Sequence, residues 1–130
     1  MVDTNRAVLA VVSDVFFYTK LRDALRPQGY LLERARTQEE VTQKAAALRP
    51  VAVVLNLNEE ALDPFRALEQ IRSDEQLRTV PVLAFANHEE VETWRRAKEL
   101  GATKIVSRNE FSSRTRQLVD EIISPSPPHA

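Results

Sequence analysis

The 130-residue chain contains no cysteine, two glycines and one tryptophan. Without cysteine there is no disulfide framework and no thiolate metal site, and a reducing compartment is the natural setting. Two glycines, Gly29 and Gly101, cannot build a glycine-rich phosphate loop, and both fall where helices should end. No charge sign dominates. The 18 basic and 19 acidic residues leave a formal net charge of −1, so no global field draws the chain to nucleic acid or to an anionic membrane. The run RRAK at 95–98 is too short for a nucleic-acid patch. No apolar run approaches the length of a membrane span, and no basic segment leads into an apolar one at the N-terminus. These absences leave a cytoplasmic protein as the expectation, one domain over residues 1–124, with a core large enough to need no staples. The tail 125–130 is rich in proline and is expected to be disordered or part of a linker.

What is present is an alternation of two periods. AVLAVV at 7–12 is a valine-rich apolar run and reads as a strand. Phe17, Leu21 and Leu25 then recur at four-residue spacing, with Asp14 as an N-cap and Pro27 and Gly29 as the stop. LLERAR at 31–36 reads as a half-polar edge strand. Thr37 followed by Glu40 is a capping-box pattern, leading a helix with Val41, Ala45 and Leu48 on one side. VAVVLN at 51–56 is a third strand. Asp63 and Pro64 open a helix with Phe65, Leu68 and Ile71 inward. VPVLAFA, then a helix with Val91, Trp94, Ala97 and Leu100 inward or partly so, then TKIVS and a single last helix over 110–123 complete the series. Five strands alternating with five helices imply a parallel sheet covered on both faces, as in a small doubly wound α/β domain of flavodoxin-like or thioredoxin-like kind. A thioredoxin-like domain is disfavoured by the lack of C-x-x-C.

Several phrases, in their order and spacing, carry a family resemblance over roughly residues 6–124: LRPVAVVLNLN, DPFRALEQIR, and VPVLAFA followed by RRAKELGATKIVSR. The chain resembles the receiver domain of bacterial response regulators. The resemblance implies a five-stranded sheet in the order 2-1-3-4-5 and a phosphoacceptor pocket at the carboxyl ends of the strands. Matched position by position, that pocket is degenerate. Ser13 and Asp14 stand where two acids hold magnesium. Asn56 stands at the phosphoacceptor aspartate, Ala86 at the switch hydroxyl, Ile105 at the switch aromatic, and Arg108 at the lysine that pairs with the phosphoryl group, followed by Asn109 in place of proline.

These losses are unequal. Aspartyl phosphate needs a carboxylate nucleophile, which the Asn56 amide is not. Magnesium is usually fixed by one or two carboxylates, and Asp14 alone is a weak site. The expectation is a pseudo-receiver with no catalytic residue, metal or cofactor, in which Arg108 pairs directly with Asp14 in place of the ion. Glu59 and Glu60 read as a solvated loop, and His88 as a surface or capping residue. Of the three aromatics at 16–18, Phe16 or Tyr18 should be exposed near the pocket, because successive helical residues lie about 100° apart.

The resemblance also implies a partner surface on helix four, strand five and helix five. Trp94, Arg95, Lys98, Lys104 and Arg114 are the candidate contacts there, for a protein partner such as a signalling protein or histidine kinase, or for a homodimer. Trp94 itself could simply pack over the sheet edge. The functional expectation is a phosphorylation-independent interaction or scaffold module in bacterial two-component-type signalling. The alternatives are a receiver phosphorylated at an offset acid, or an unrelated small α/β enzyme, for which no nucleophile–base pair or cofactor motif is seen.

Overall fold

The computed structural model describes residues 6–124; the proline-rich tail lies outside the described residues. The strands are β1 (Ala7–Val11), β2 (Leu31–Arg34), β3 (Ala52–Asn56), β4 (Val82–Ala86) and β5 (Lys104–Ser107). The helices are α1 (Val15–Leu25), α2 (Gln38–Leu48), α3 (Pro64–Ser73), α4 (Val91–Glu99), α5 (Arg108–Ser113) and α6 (Thr115–Ile123), with a 3-10 turn at Arg26–Gln28. All strand pairs are parallel, in the order β2-β1-β3-β4-β5. This is the flavodoxin-like order that the resemblance implies, with the half-polar β2 at an edge.

β1, β3 and β4 are buried along their whole length because both faces are covered. Their side chains alternate between two cores. Leu9, Val11, Val53, Leu55 and Ala84 pack with α2, α3 and α4, including Val41, Leu68, Ile71 and Ala97. Val8, Ala10, Val54, Leu83 and Phe85 pack with α1, α5 and α6, including Leu21, Phe111 and Leu118. In that second core Phe85 stacks on Phe111 with centroids 4.1 Å apart, and Phe17 closes on Phe85 at 5.0 Å.

The capping signals act as the sequence suggests. The Asp14 carboxylate accepts the N–H groups of Phe16 and Phe17 (2.8 and 3.2 Å), and Asp63 caps Phe65 and Arg66 ahead of Pro64. Thr37 accepts the Glu40 N–H, while the Glu40 carboxylate reaches back to the Arg36 N–H at 2.8 Å.

Two expectations are corrected. The last helix is not single: Arg114, at φ −131° and ψ 32°, breaks it into α5 and α6, and α5 begins at Arg108 with Ser107 as its N-cap. The break lets Phe111 and Leu118 reach the same core from two short helices. Val91 does not face inward; it is 71% exposed, at the first turn of α4.

Arg72 straps one end of the fold. Its guanidinium donates to the carbonyls of Gly101 (2.9 Å), Arg78 (3.0 Å) and Val80 (2.7 Å), tying the end of α3 to the loops flanking β4 and α4. Gly101 has φ +99°, and an added Cβ would lie 3.0 Å from the Arg72 Nε. Glycine is needed there for the turn and for the approach.

Candidate functional site

The carboxyl ends of β1 and β3 open on a cleft of about 280 Å³ lined by Ser13, Asp14, Phe17, Asn56, Asn58, Glu59, Glu60 and Arg108. The fold therefore brings together four of the six residues expected at the degenerate pocket: Ser13, Asp14, Asn56 and Arg108. The other two do not line it. Ala86, the last residue of β4, is fully buried beside the end of β3, and Ile105 lines a different cleft, between α4 and β5.

Asn56 is 6% exposed, and its Oδ1 accepts the backbone N–H of Asn58 at 2.9 Å. The amide is thereby oriented, with its oxygen spent on a local turn. The expected Asp14–Arg108 pair does not form; among the described residues no ion pair joins Arg108 to any carboxylate. Asp14 is committed to the N-terminus of α1, where its charge also meets the helix dipole. Arg108 leads α5 and lies between this cleft and a second one of about 270 Å³, lined by Asn87, His88, Glu89, Ser107 and Asn109.

The acid that organises the pocket is Glu59. The expectation of a solvated loop fails for it: Glu59 is 9% exposed, and its carboxylate accepts the Ser13 N–H with both oxygens, at 3.0 and 3.2 Å. Arg34 holds the same segment from the other side. It donates to the carbonyls of Val12 (3.0 Å) and Ser13 (2.5 Å), and its guanidinium lies over the Tyr18 ring at 4.4 Å. Ser13 is thus fixed through both its N–H and its carbonyl.

Glu59, Asn58 and Arg34 are the site residues that sequence reasoning misses. Asn58 had a signal, being the second amide two residues after Asn56. Glu59 and Arg34 had none, because their partners are backbone groups far away in the chain.

The magnesium ion that the resemblance implies does not fit these residues. The Asp14 carboxylate caps α1, Glu59 is turned onto Ser13, and the Asn56 carbonyl is turned onto Asn58. Among the described residues no group of three histidine, cysteine or acidic side chains could hold a metal.

The α4–β5 cleft is different in character. It is apolar, about 590 Å³, and formed by Val91, Trp94, Ala102 and Ile105, with Arg95 and Lys98 at its rim. Trp94 is half-buried against the core, and its indole N–H donates to the Asn87 carbonyl at 3.0 Å. Arg95 bridges Glu92 and Glu99 along the helix (2.5 and 2.6 Å). These pairs raise the Arg95 pKa and lower that of Glu92, through hydrogen bonding first and charge second. Lys104 and Arg114 lie together at Glu121 (3.3 and 2.8 Å), Arg114 also pairing with Glu110. The expected partner residues therefore divide into the α4–β5 cleft and a separate paired cluster beside it. Phe16 is 58% exposed beside Val15, while the inward Phe17 is the aromatic that lines the pocket. His88 is exposed, 3.9 Å from Glu89.

No protein-family model matches the chain. The protein-glutamate methylesterase/protein-glutamine glutaminase of Caldanaerobacter subterraneus subsp. tengcongensis is 31% identical over 121 residues, 90% of this chain and 33% of that protein. The chain thus spans a third of the length of the curated relative it matches. Among solved structures, a protein of Chloroflexus aurantiacus assigned to the response regulators superimposes with a TM-score of 0.83 at 21% identity, covering 93% of this chain and 99% of that one. The phosphorylated cyanobacterial phytochrome response regulator RcpA gives 0.82 at 16% identity, covering 95% and 98%. The receiver domain of the Pseudomonas aeruginosa sensor histidine kinase PA1611, which holds magnesium in its active-site cleft, gives 0.79 at 18%, covering 92% and 98%. The chain has the fold of receiver domains. Among the described residues no helix is long and apolar enough to cross a membrane.

Proposed function

We propose that the domain is a receiver of two-component-type signalling that cannot be phosphorylated at the usual position and works as a protein–protein interaction module. The observation that carries this reading is Asn56. At the tip of the central strand stands a buried neutral amide, its oxygen already accepting the Asn58 N–H. A phosphoryl group has no carboxylate to form an acyl phosphate with at that point. The committed states of Asp14 and Glu59 and the absence of a side-chain hydroxyl at Ala86 support the same reading.

The partner surface is the α4–β5 cleft. Its floor is apolar and its rim carries Lys98 and the partly neutralised Arg95. That chemistry suits an apolar segment flanked by an acidic residue. A second copy of the domain, meeting it through the same face and through Lys104 and Arg114, is an alternative occupant. In this reading the domain acts by binding a partner rather than by catalysis.

Incubation with acetyl phosphate and magnesium, followed by intact-mass measurement, tests this. An unchanged mass is expected. A gain of one phosphoryl group, mapped to Asp14, Glu59 or Glu60, would instead establish a receiver phosphorylated at an offset acid.

A further inference from the structure

Helix α4 is lightly held. It buries only Ala97, and its N-cap residue, Glu90, makes no capping bond with its side chain. A helix start without a side-chain cap leaves N–H groups to be satisfied from elsewhere. Here the anchor comes from a different loop. Asn58, in the pocket loop after β3, donates its amide to the Glu90 carboxylate (2.5 Å) and accepts the Asn87 N–H at 3.0 Å. The Asn87 carbonyl in turn accepts both the Glu90 N–H (3.2 Å) and the Trp94 indole N–H (3.0 Å). On the pocket side, the Asn58 backbone N–H donates to Asn56. A continuous chain of hydrogen bonds therefore runs from the tip of β3 to the indole that forms one wall of the α4–β5 cleft.

We propose that Asn58 is a positioning residue that latches the first turn of α4 to the pocket loop, so that the state of that loop sets the shape of the α4–β5 cleft. The backbone N–H and both polar ends of the Asn58 side chain are engaged, so the loop cannot shift without releasing Glu90 or Asn87. The route needs no hydroxyl at Ala86 and no mobile ring at Ile105. It couples pocket and cleft without a covalent phosphate. The coupling is reciprocal: a partner seated on Trp94 biases the loop as much as a ligand at the loop biases Trp94. The inference deepens the reading of the α4–β5 cleft as the partner surface and takes its biological meaning from it, but the latch is measurable on the protein alone.

Trp94 is the only tryptophan in the chain, so intrinsic emission reports on it directly. Asn58→Ala removes both side-chain bonds of the latch. The expected result is a red shift of the emission and an increase of about twofold in acrylamide quenching, with the far-ultraviolet circular dichroism retained, as local opening of one helix end requires. Glu90→Ala cuts one of the two bonds at an exposed residue. It should shift the emission the same way by less, and it carries the test if Asn58→Ala does not fold. Gln38→Ala breaks the bonds from α2 to Asp63 and Gln70, away from Trp94, and should leave the emission in place. Unchanged emission in both the Asn58 and Glu90 variants, or an equal shift in Gln38→Ala, overturns the latch. None of these readouts involves phosphate or a partner. Failure of the latch thus leaves the unphosphorylated-receiver reading standing, and a phosphorylated product would leave the latch standing.

Discussion

Both carboxylate oxygens of Glu59 accept the backbone N–H of Ser13, across a separation of 46 residues. The contact ties the loop after β3 to the end of β1, on the rim where the receiver fold otherwise gathers acids around an ion. A buried carboxylate is costly unless it is hydrogen-bonded. Here a backbone donor supplies that bond, and the carboxylate satisfies a donor that has no strand partner.

Glu59→Ala should therefore destabilise the fold by about 1–3 kcal/mol, the usual cost of leaving a buried polar group unpaired. Glu59→Gln keeps an acceptor and should lose less. Urea unfolding of the two variants measures the difference. Equal loss in both would mean that the negative charge of the carboxylate, not merely an acceptor for the Ser13 N–H, holds the contact.

Asn56→Asp restores the missing carboxylate and nothing else. The new side chain can still accept the Asn58 N–H, so the loop geometry should survive. Ser13 in place of an acid, Ala86 in place of a hydroxyl and a Glu59 turned onto Ser13 remain. The expected outcome is no stable phosphoryl adduct after acetyl phosphate and magnesium, read by intact mass. A persistent adduct with a changed Trp94 emission would show that the rest of the pocket is competent and that Asn56 alone silences it.

Arg72 makes its bonds to three backbone carbonyls rather than to an acid, and burial alone pulls its pKa below the ordinary arginine value. Removing the guanidinium leaves those carbonyls without it where the α3–β4 and α4–β5 loops meet. Arg72→Ala should cost about 2–4 kcal/mol, since several charge-assisted bonds are lost together. Arg72→Lys should recover only part of this, because a single ammonium cannot reproduce the planar fork. Thermal or urea unfolding of the pair provides the check.

The fold was legible because strand and helix periods alternate with their own punctuation: Asp14, Thr37 and Asp63 as caps, Gly29 and Gly101 as stops. The break at Arg114 was not, because SSRTR carries neither glycine nor proline and the apolar residues on both sides point to one core. The pocket residues follow from the strand ends, since β1 and β3 must deliver Ser13, Asp14 and Asn56 to one edge. Their pairing does not follow. Asp14 carried two signals at once, a local cap and a long-range partner for Arg108, and the local one wins because the cap requires no ordering of a long side chain. Glu59 was hidden for a different reason. In sequence it is one acid of a polar loop, and only the folded chain shows that a backbone N–H from β1's end faces it.

Glu40, in the first turn of α2, offers a pH test. The Arg36 N–H holds its carboxyl below the ordinary glutamate value, aided by the charge of Lys44 at 3.6 Å. A depressed folded-state value means that the carboxylate form is favoured by folding. Its contribution is present above the unfolded-state value and is lost as the pH falls through the folded one. Glu40→Gln removes the charge but keeps an acceptor for Arg36. The stability gap between the native protein and this variant should therefore close as the pH is lowered from about 6 to about 3. Urea midpoints measured across that range decide the matter: a gap that stays constant or widens in acid would show that the Arg36 and Lys44 contacts do not stabilise the ionised form.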